Sequence, residues 1–228
     1  MATTTQTTTQ IRSEQRLGRA ATVAALLGVS AVIAAGTMLG RPIAAVDFDN
    51  LEVLAVERNE VWVFSLVSGL SIGAGYVLAG IATCLLVVGR GARLATAGAV
   101  LTGIGGLSFS SGFFAFGSAS WFASADVPGG AAYFEYLQDN AMRAFGPQMA
   151  GFLLGVLGMF LLASALWRSH EVPRWLPIAI PVAIVLMVGS GTGRVYDVMH
   201  AVFMATMVAL AWFLWRSGRR EPQPVVVE

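Results

Sequence analysis

The chain has 228 residues, 56% of them hydrophobic and 12% charged, with a net charge of +1. An average soluble domain carries about 25% charged residues, so this composition cannot clothe a water-exposed surface and points to a bilayer. All 14 basic residues are arginine; they cap apolar segments instead of clustering on one face, which excludes a nucleic-acid footprint and reads as the signature of a GC-rich, actinobacterial-type genome.

Residues 1–17 are polar and repetitive, with nothing to bury, and are expected to form a disordered cytoplasmic tail. Arg12, Arg16 and Arg19 then introduce an uncharged apolar run, Ala20 to Leu39. A cleaved signal peptide has an apolar core of only about 7–15 residues and a small-residue cleavage site. This run instead has the length of a retained span, roughly 20 residues. Further spans are expected at Val61–Val88, Leu94–Phe116, Gly146–Trp167, Trp175–Gly193 and Val195–Trp215. Residues 18–216 thus make one domain of six spans, and 217–228 a cytoplasmic tail. A soluble helical core is excluded because the runs lack a charged outer face.

The gaps alternate in charge. Ten arginines fall in the N-terminal segment, the second and fourth gaps and the C-terminal tail, against four in the other gaps (Arg41, Arg58, Arg143 and Arg194). Short arginine-rich loops stay cytoplasmic. Both termini are therefore expected inside the plasma membrane of a bacterium, which requires an even number of spans. Trp62, Trp121, Tyr133 and Tyr136 would mark the outer interface; Trp167, Trp175 and Trp215 would mark the inner one. In the third gap, apolar residues from Ala131 to Phe145 recur at helical spacing, with Glu135, Asp139 and Arg143 at successive i,i+4 steps. A short outer interfacial helix feeding span four is expected there, with Pro147 in the first turn of that span. The first outer loop, Arg41–Glu60, has room for a helical turn or two.

Few residues could carry chemistry. Arg194, Asp197 and His200 recur at i, i+3, i+6 at the start of span six, and Tyr196 is the i,i+4 partner of His200. Ionisable groups within a membrane are costly and mark candidate sites. Arg143 and Gln148, at the start of span four, are candidate partners across the bundle at the same depth. An interfacial Arg–Asp pair with a histidine bonded to a neighbouring helix is the structural alternative. No metal or cofactor is expected: His170 lies in an inner loop and cannot join His200 in a bis-histidine haem, and no HExxH motif occurs. The acidic loop residues Asp47, Asp49, Glu52, Glu57 and Glu60 lack calcium-loop spacing. The turn from Gly189 to Gly193 has no βαβ context for a nucleotide. Cys84 stands alone and forms no intramolecular disulfide. The pairs Gly69/Gly73 and Gly151/Gly155, with Gly98, Thr102 and Gly106, are helix-packing motifs.

The stretch from Ala165 to Leu176 closes one apolar span on Leu166-Trp167-Arg168 and opens the next at Pro173-Arg174-Trp175. It resembles the inner loop of actinobacterial multi-span integral membrane proteins of unknown function. That resemblance implies the general layout and no activity. The expected protein is an all-α polytopic membrane bundle of six helices. It either binds or moves a small molecule, or serves as an embedded accessory subunit. The competing reading, an intramembrane enzyme acting on a lipid or isoprenoid, would need more converging acids and histidines. Its expected surroundings are the lipid bilayer, with a membrane-protein partner or a second copy of itself compatible with either role and no nucleic acid.

Overall fold

A computed structural model of the chain describes residues 3–42, 50–125, 127–191 and 193–219. Among the described residues there are eight helices and no strand: α1 Thr3–Leu39, α2 Leu51–Val56, α3 Arg58–Leu86, α4 Ala92–Ala123, α5 Gly130–Asp139, α6 Ala141–Ser169, α7 Trp175–Gly189 and α8 Arg194–Gly218. Large apolar side chains point outward along them, among them Val29, Leu70, Leu107 and Leu153, each more than half exposed. In water such a surface would drive association; in lipid it is the expected exterior. The protein is a membrane-embedded helical bundle.

Five helices are long and apolar enough to cross a membrane, not six. The exception is α7, whose 15 residues span only about 22 Å at 1.5 Å per residue, against a hydrocarbon core of about 30 Å. The apolar run to Gly193 overstated this helix, because the backbone turns after Gly189, with Gly191 at φ 71° and Gly193 at φ 100°. Even so, α7 joins the end of the bundle where α6 finishes to the end where α8 begins.

Other boundaries differ from expectation, among them that of α4, which continues to Ala123 past the expected limit at Phe116. Helix α1 begins at Thr3 and so runs back through the segment expected to be unstructured, its apolar part being Leu17–Leu39; extending a formed helix needs no new nucleus. The segment from Ala131 to Phe145 is split at Asn140. The Asn140 side chain donates to the Tyr136 carbonyl (2.9 Å) and its own carbonyl accepts from Arg143 (2.8 Å) and Ala144 (3.0 Å), closing α5 and opening α6. Asparagine competes in this way with helix continuation. Arg143 therefore belongs to a different helix from Glu135 and Asp139, and Pro147 lies in the second turn of α6. In the first outer loop the expected turn is α2, capped by the Asn50 carboxamide oxygen, which accepts from the Glu52 and Val53 amides. Asp47, Asp49, Asp126 and the tail from 220 lie outside the described residues.

Neighbouring helices follow the order α1, α3, α4, α6, α7, α8 and back to α1, with α3 also reaching α8 across the middle. Helix α4 has two small-residue faces. Toward α3, a Cβ on Gly106 would lie 2.7 Å from that of Tyr76, and one on Gly117 would lie 2.6 Å from that of Ser65. Toward α6, a Cβ on Gly98 would lie 2.7 Å from Leu162, and the backbones of Gly105 and Gly155 meet directly. The spaced glycines thus pack helices, as small residues do in lipid where no hydrophobic effect brings helices together. Serines add hydrogen bonds between helices: Ser110 to the Gly69 carbonyl and Ser30 to the Ser71 carbonyl, each 2.6 Å. The vacancy left by Gly155 is filled by the Tyr76 ring, which also meets Phe203 of α8 (centroids 6.2 Å apart). Tyr76 is thereby the central plug.

The last turn of α8 meets α1 beside Ala20 at one end of the bundle, where a Cβ on Gly218 would lie 3.3 Å from that of Ala20. The loops from α3 to α4 and from α6 to α7 share that end, bringing Arg90, Arg93, Arg168 and Arg174 there. Arg41, Arg58, Arg143 and Arg194 lie at the other, beneath α2 and α5. At that end Leu54, Val61, Ala123 and Phe134 form a small second core.

Candidate functional site

The end of α1 and the start of α8 lie side by side and antiparallel, so the carbonyl end of one helix faces the amide end of the other. Their partial charges are matched by side chains. Asp197 stands in the first turn of α8, where a negative charge is favoured. Arg41 follows α1 directly, and Arg194 donates to the Leu39 carbonyl at 3.0 Å, satisfying one of the carbonyls that a helix end leaves free.

Arg41 and Asp197 form a buried ion pair. An Arg41 terminal nitrogen donates to Asp197 Oδ2 at 2.9 Å, with the two side chains 5% and 1% exposed. Arg194 approaches the same oxygen at 3.8 Å, but its side chain is 67% exposed. The expected common face for Arg194, Asp197 and His200 therefore holds only for the last two: Asp197 and His200 turn inward and Arg194 turns out to cap α1. The principal partner of Asp197 is Arg41, a residue the sequence reading left in an acidic outer loop. Its signal was its position: an arginine next to the last residues of a span, at the same depth as an acid in the first turn of another.

One turn deeper, His200 is 3% exposed. Its ring lies between those of Tyr196 (centroids 6.1 Å apart) and Phe203 (6.4 Å). Tyr196 is half-buried and within electrostatic reach of Arg41, Asp197 and Tyr76. Through Phe203 and Tyr76, the polar group connects to the centre of the bundle.

This group is not fully satisfied. Among the described residues, Asp197 Oδ1, Arg41 Nε and both ring nitrogens of His200 are buried with no hydrogen-bond partner, as is Ser68 Oγ on α3. The expected structural alternative, a histidine bonded to a neighbouring helix, is thus not what the described residues form. In any tautomer a neutral histidine presents a donor and an acceptor, and a buried polar group without a partner costs about 1–3 kcal/mol. Clusters of such atoms are rare in folded proteins and call for an explanation.

The other expected members of the site lie elsewhere. Gln148 packs on Gly112 of α4, and Arg143 is exposed near the start of α6. Neither is joined to the α8 group by a described hydrogen bond or ion pair. Met204 and Met207 are core residues, and Cys84 packs against the same core. Among the described residues, no three His, Cys, Asp or Glu side chains converge as a metal site would require. No protein-family model matches this chain, and neither a curated protein nor a solved structure matches it.

Proposed function

We propose that the protein binds, and in moving it across the bilayer carries, a small neutral polar molecule at the junction of α1, α3 and α8. The observation that carries this reading is the set of unpartnered buried atoms around the Arg41–Asp197 pair. Asp197 Oδ1 offers an acceptor, Arg41 Nε a donor, and His200 one of each. Arg41 and Asp197 already neutralise one another, so a ligand bearing hydroxyl or amide groups suits the site better than an ion. The arginine-rich end is assigned to the cytoplasm on the distribution of charge. That assignment places both termini inside a bacterial plasma membrane and the site in its outer half.

The chain has two histidines, which makes access to His200 directly measurable. In a His170→Gln background, membranes bearing the protein are treated with diethyl pyrocarbonate and His200 is assayed by mass spectrometry. A binding or carrier role requires that the site opens, so His200 is expected to be modified in the native protein. Reaction only after denaturation would sink the reading and leave a purely structural, accessory-subunit role.

A further inference from the structure

At the arginine-rich end two cavities adjoin. One, of about 400 Å³, is lined by Arg90, Trp167, Arg168 and His170. The other, of about 660 Å³, runs along the outside of the bundle between α4, α6 and α7, with Leu94, Phe160, Ala163, Pro177, Pro181 and Val182 among its walls. Trp167 and Arg168 line both, so the polar cavity and the apolar one lie against each other. No acid among the described residues lines either. Among the described residues, the ion pairs are confined to Asp197 at the opposite end, so Arg90 and Arg168 have no carboxylate partner. Glu171, although adjacent to His170, lines neither cavity. Arg174 sits over the Trp167 ring at 5.6 Å, adding a cation at the rim.

Pro177 and Pro181 line the groove, and Pro181, which has no amide hydrogen to donate, stands inside α7. Trp167, exposed in the last turn of α6, carries the kind of amphipathic ring that settles at headgroup level. A basic pocket between spanning helices on this side, lying against an apolar groove, has the two parts of a phospholipid: an anionic headgroup and an acyl chain.

We propose that this end holds one anionic phospholipid, its phosphate between Arg90 and Arg168 and an acyl chain along the α6–α7 groove. The chemistry recognised is a phosphate ester, and the groove commits the site to the lipid over a free phosphate. The site is separate from the α1–α8 polar group and does not depend on its role.

The test is native mass spectrometry of the full chain released from detergent, with phosphatidylglycerol or phosphatidylcholine of matched chains added. The wild type is expected to retain phosphatidylglycerol preferentially. Each arginine near an anionic surface contributes about a fivefold preference, so Arg90→Gln with Arg168→Gln should lower it by roughly 25-fold. Replacing both by lysine should keep most of it. Arg216→Gln with Arg219→Gln removes equal charge from the same end outside the cavities, and should leave the preference intact. Equal loss in the two glutamine doubles would show diffuse attraction and overturn the site. So would no preference in the wild type, or displacement of the lipid by soluble glycerol phosphate. Ser164→Trp, which fills the groove wall, should also weaken retention; an unchanged value would remove the acyl chain from the proposal.

Discussion

The Arg41–Asp197 pair gives the sharpest quantitative expectation. Its donor–acceptor distance is 2.9 Å and both side chains are almost wholly buried. At an effective dielectric constant of about 20 the gross attraction between unit charges at that separation is about 6 kcal/mol. Most of it is offset by the cost of removing both charges from water. Breaking such a pair from one side leaves an uncompensated charge and costs about 3–5 kcal/mol, whereas replacing both partners by apolar residues is often close to neutral. The surroundings make the two single losses unequal. Arg41→Met still leaves Asp197 with a cation 3.8 Å away in Arg194, and should fall at the lower end of that range. Asp197→Leu strands Arg41, whose Nε already lacks a partner, and should fall at the upper end. The double variant should recover most of the loss. The assay is a double-mutant cycle of denaturant unfolding in detergent, followed by helical circular dichroism. Additive losses, or single losses below about 1 kcal/mol as for exposed pairs, would refute the buried-pair reasoning.

Other expectations follow from neighbouring features. His200→Phe removes two unpartnered polar atoms from between two aromatic rings, and should raise stability by about 1–2 kcal/mol while abolishing ligand binding; a clear loss of stability in the same unfolding assay would mean the imidazole has a bonded role. Gly105→Ala places a methyl against the α6 backbone and should cost more than 1 kcal/mol by overpacking, whereas Gly103→Ala meets nothing within 4 Å and should be neutral; equal thermal shifts would refute the close approach of α4 and α6. Cysteines at Ala20 and Gly218, in a Cys84→Ser background, should crosslink on mild oxidation. The Cβ separation of 3.3 Å is just below the usual range of about 3.5–4.5 Å, and no crosslink on a denaturing gel would contradict the placing of Ala20 beside Gly218.

The helical class and the approximate positions of the long spans were legible from hydropathy, because it acts residue by residue along the chain. What escaped was set by local backbone chemistry or by tertiary contact. Gly191 and Gly193 ended α7 at Gly189, although the uncharged run from Trp175 continues to Gly193. Asn140 divided a segment whose apolar spacing was continuous. Within the site, Tyr196, Asp197 and His200 were recognisable as polar residues in a span. Arg41 was not, since nothing in a one-dimensional pattern says that the end of the first span touches the start of the last. Gln148 failed for the complementary reason: equal depth in the membrane does not make neighbours when α4 takes up that face of α6.

The distribution of side-chain sizes explains why the polar group lies where it does. Between α3, α4 and α6 the helices approach through Gly98, Gly105, Gly106, Gly117 and Gly155, and an added methyl would meet backbone or a locked side chain. Such an interface has no slack in which to place or move a ligand. Helix α8 instead presents His200, Phe203, Met204 and Met207 to the interior. Methionine has three rotatable bonds and repacks at little cost. The proposed binding role therefore favours α8 as the place for a solute site. On that proposal the tight α3–α4–α6 half is the fixed frame against which the site opens, and Tyr76, packed in that frame against Gly106 and Gly155 and touching Phe203, is the contact across which the two halves meet.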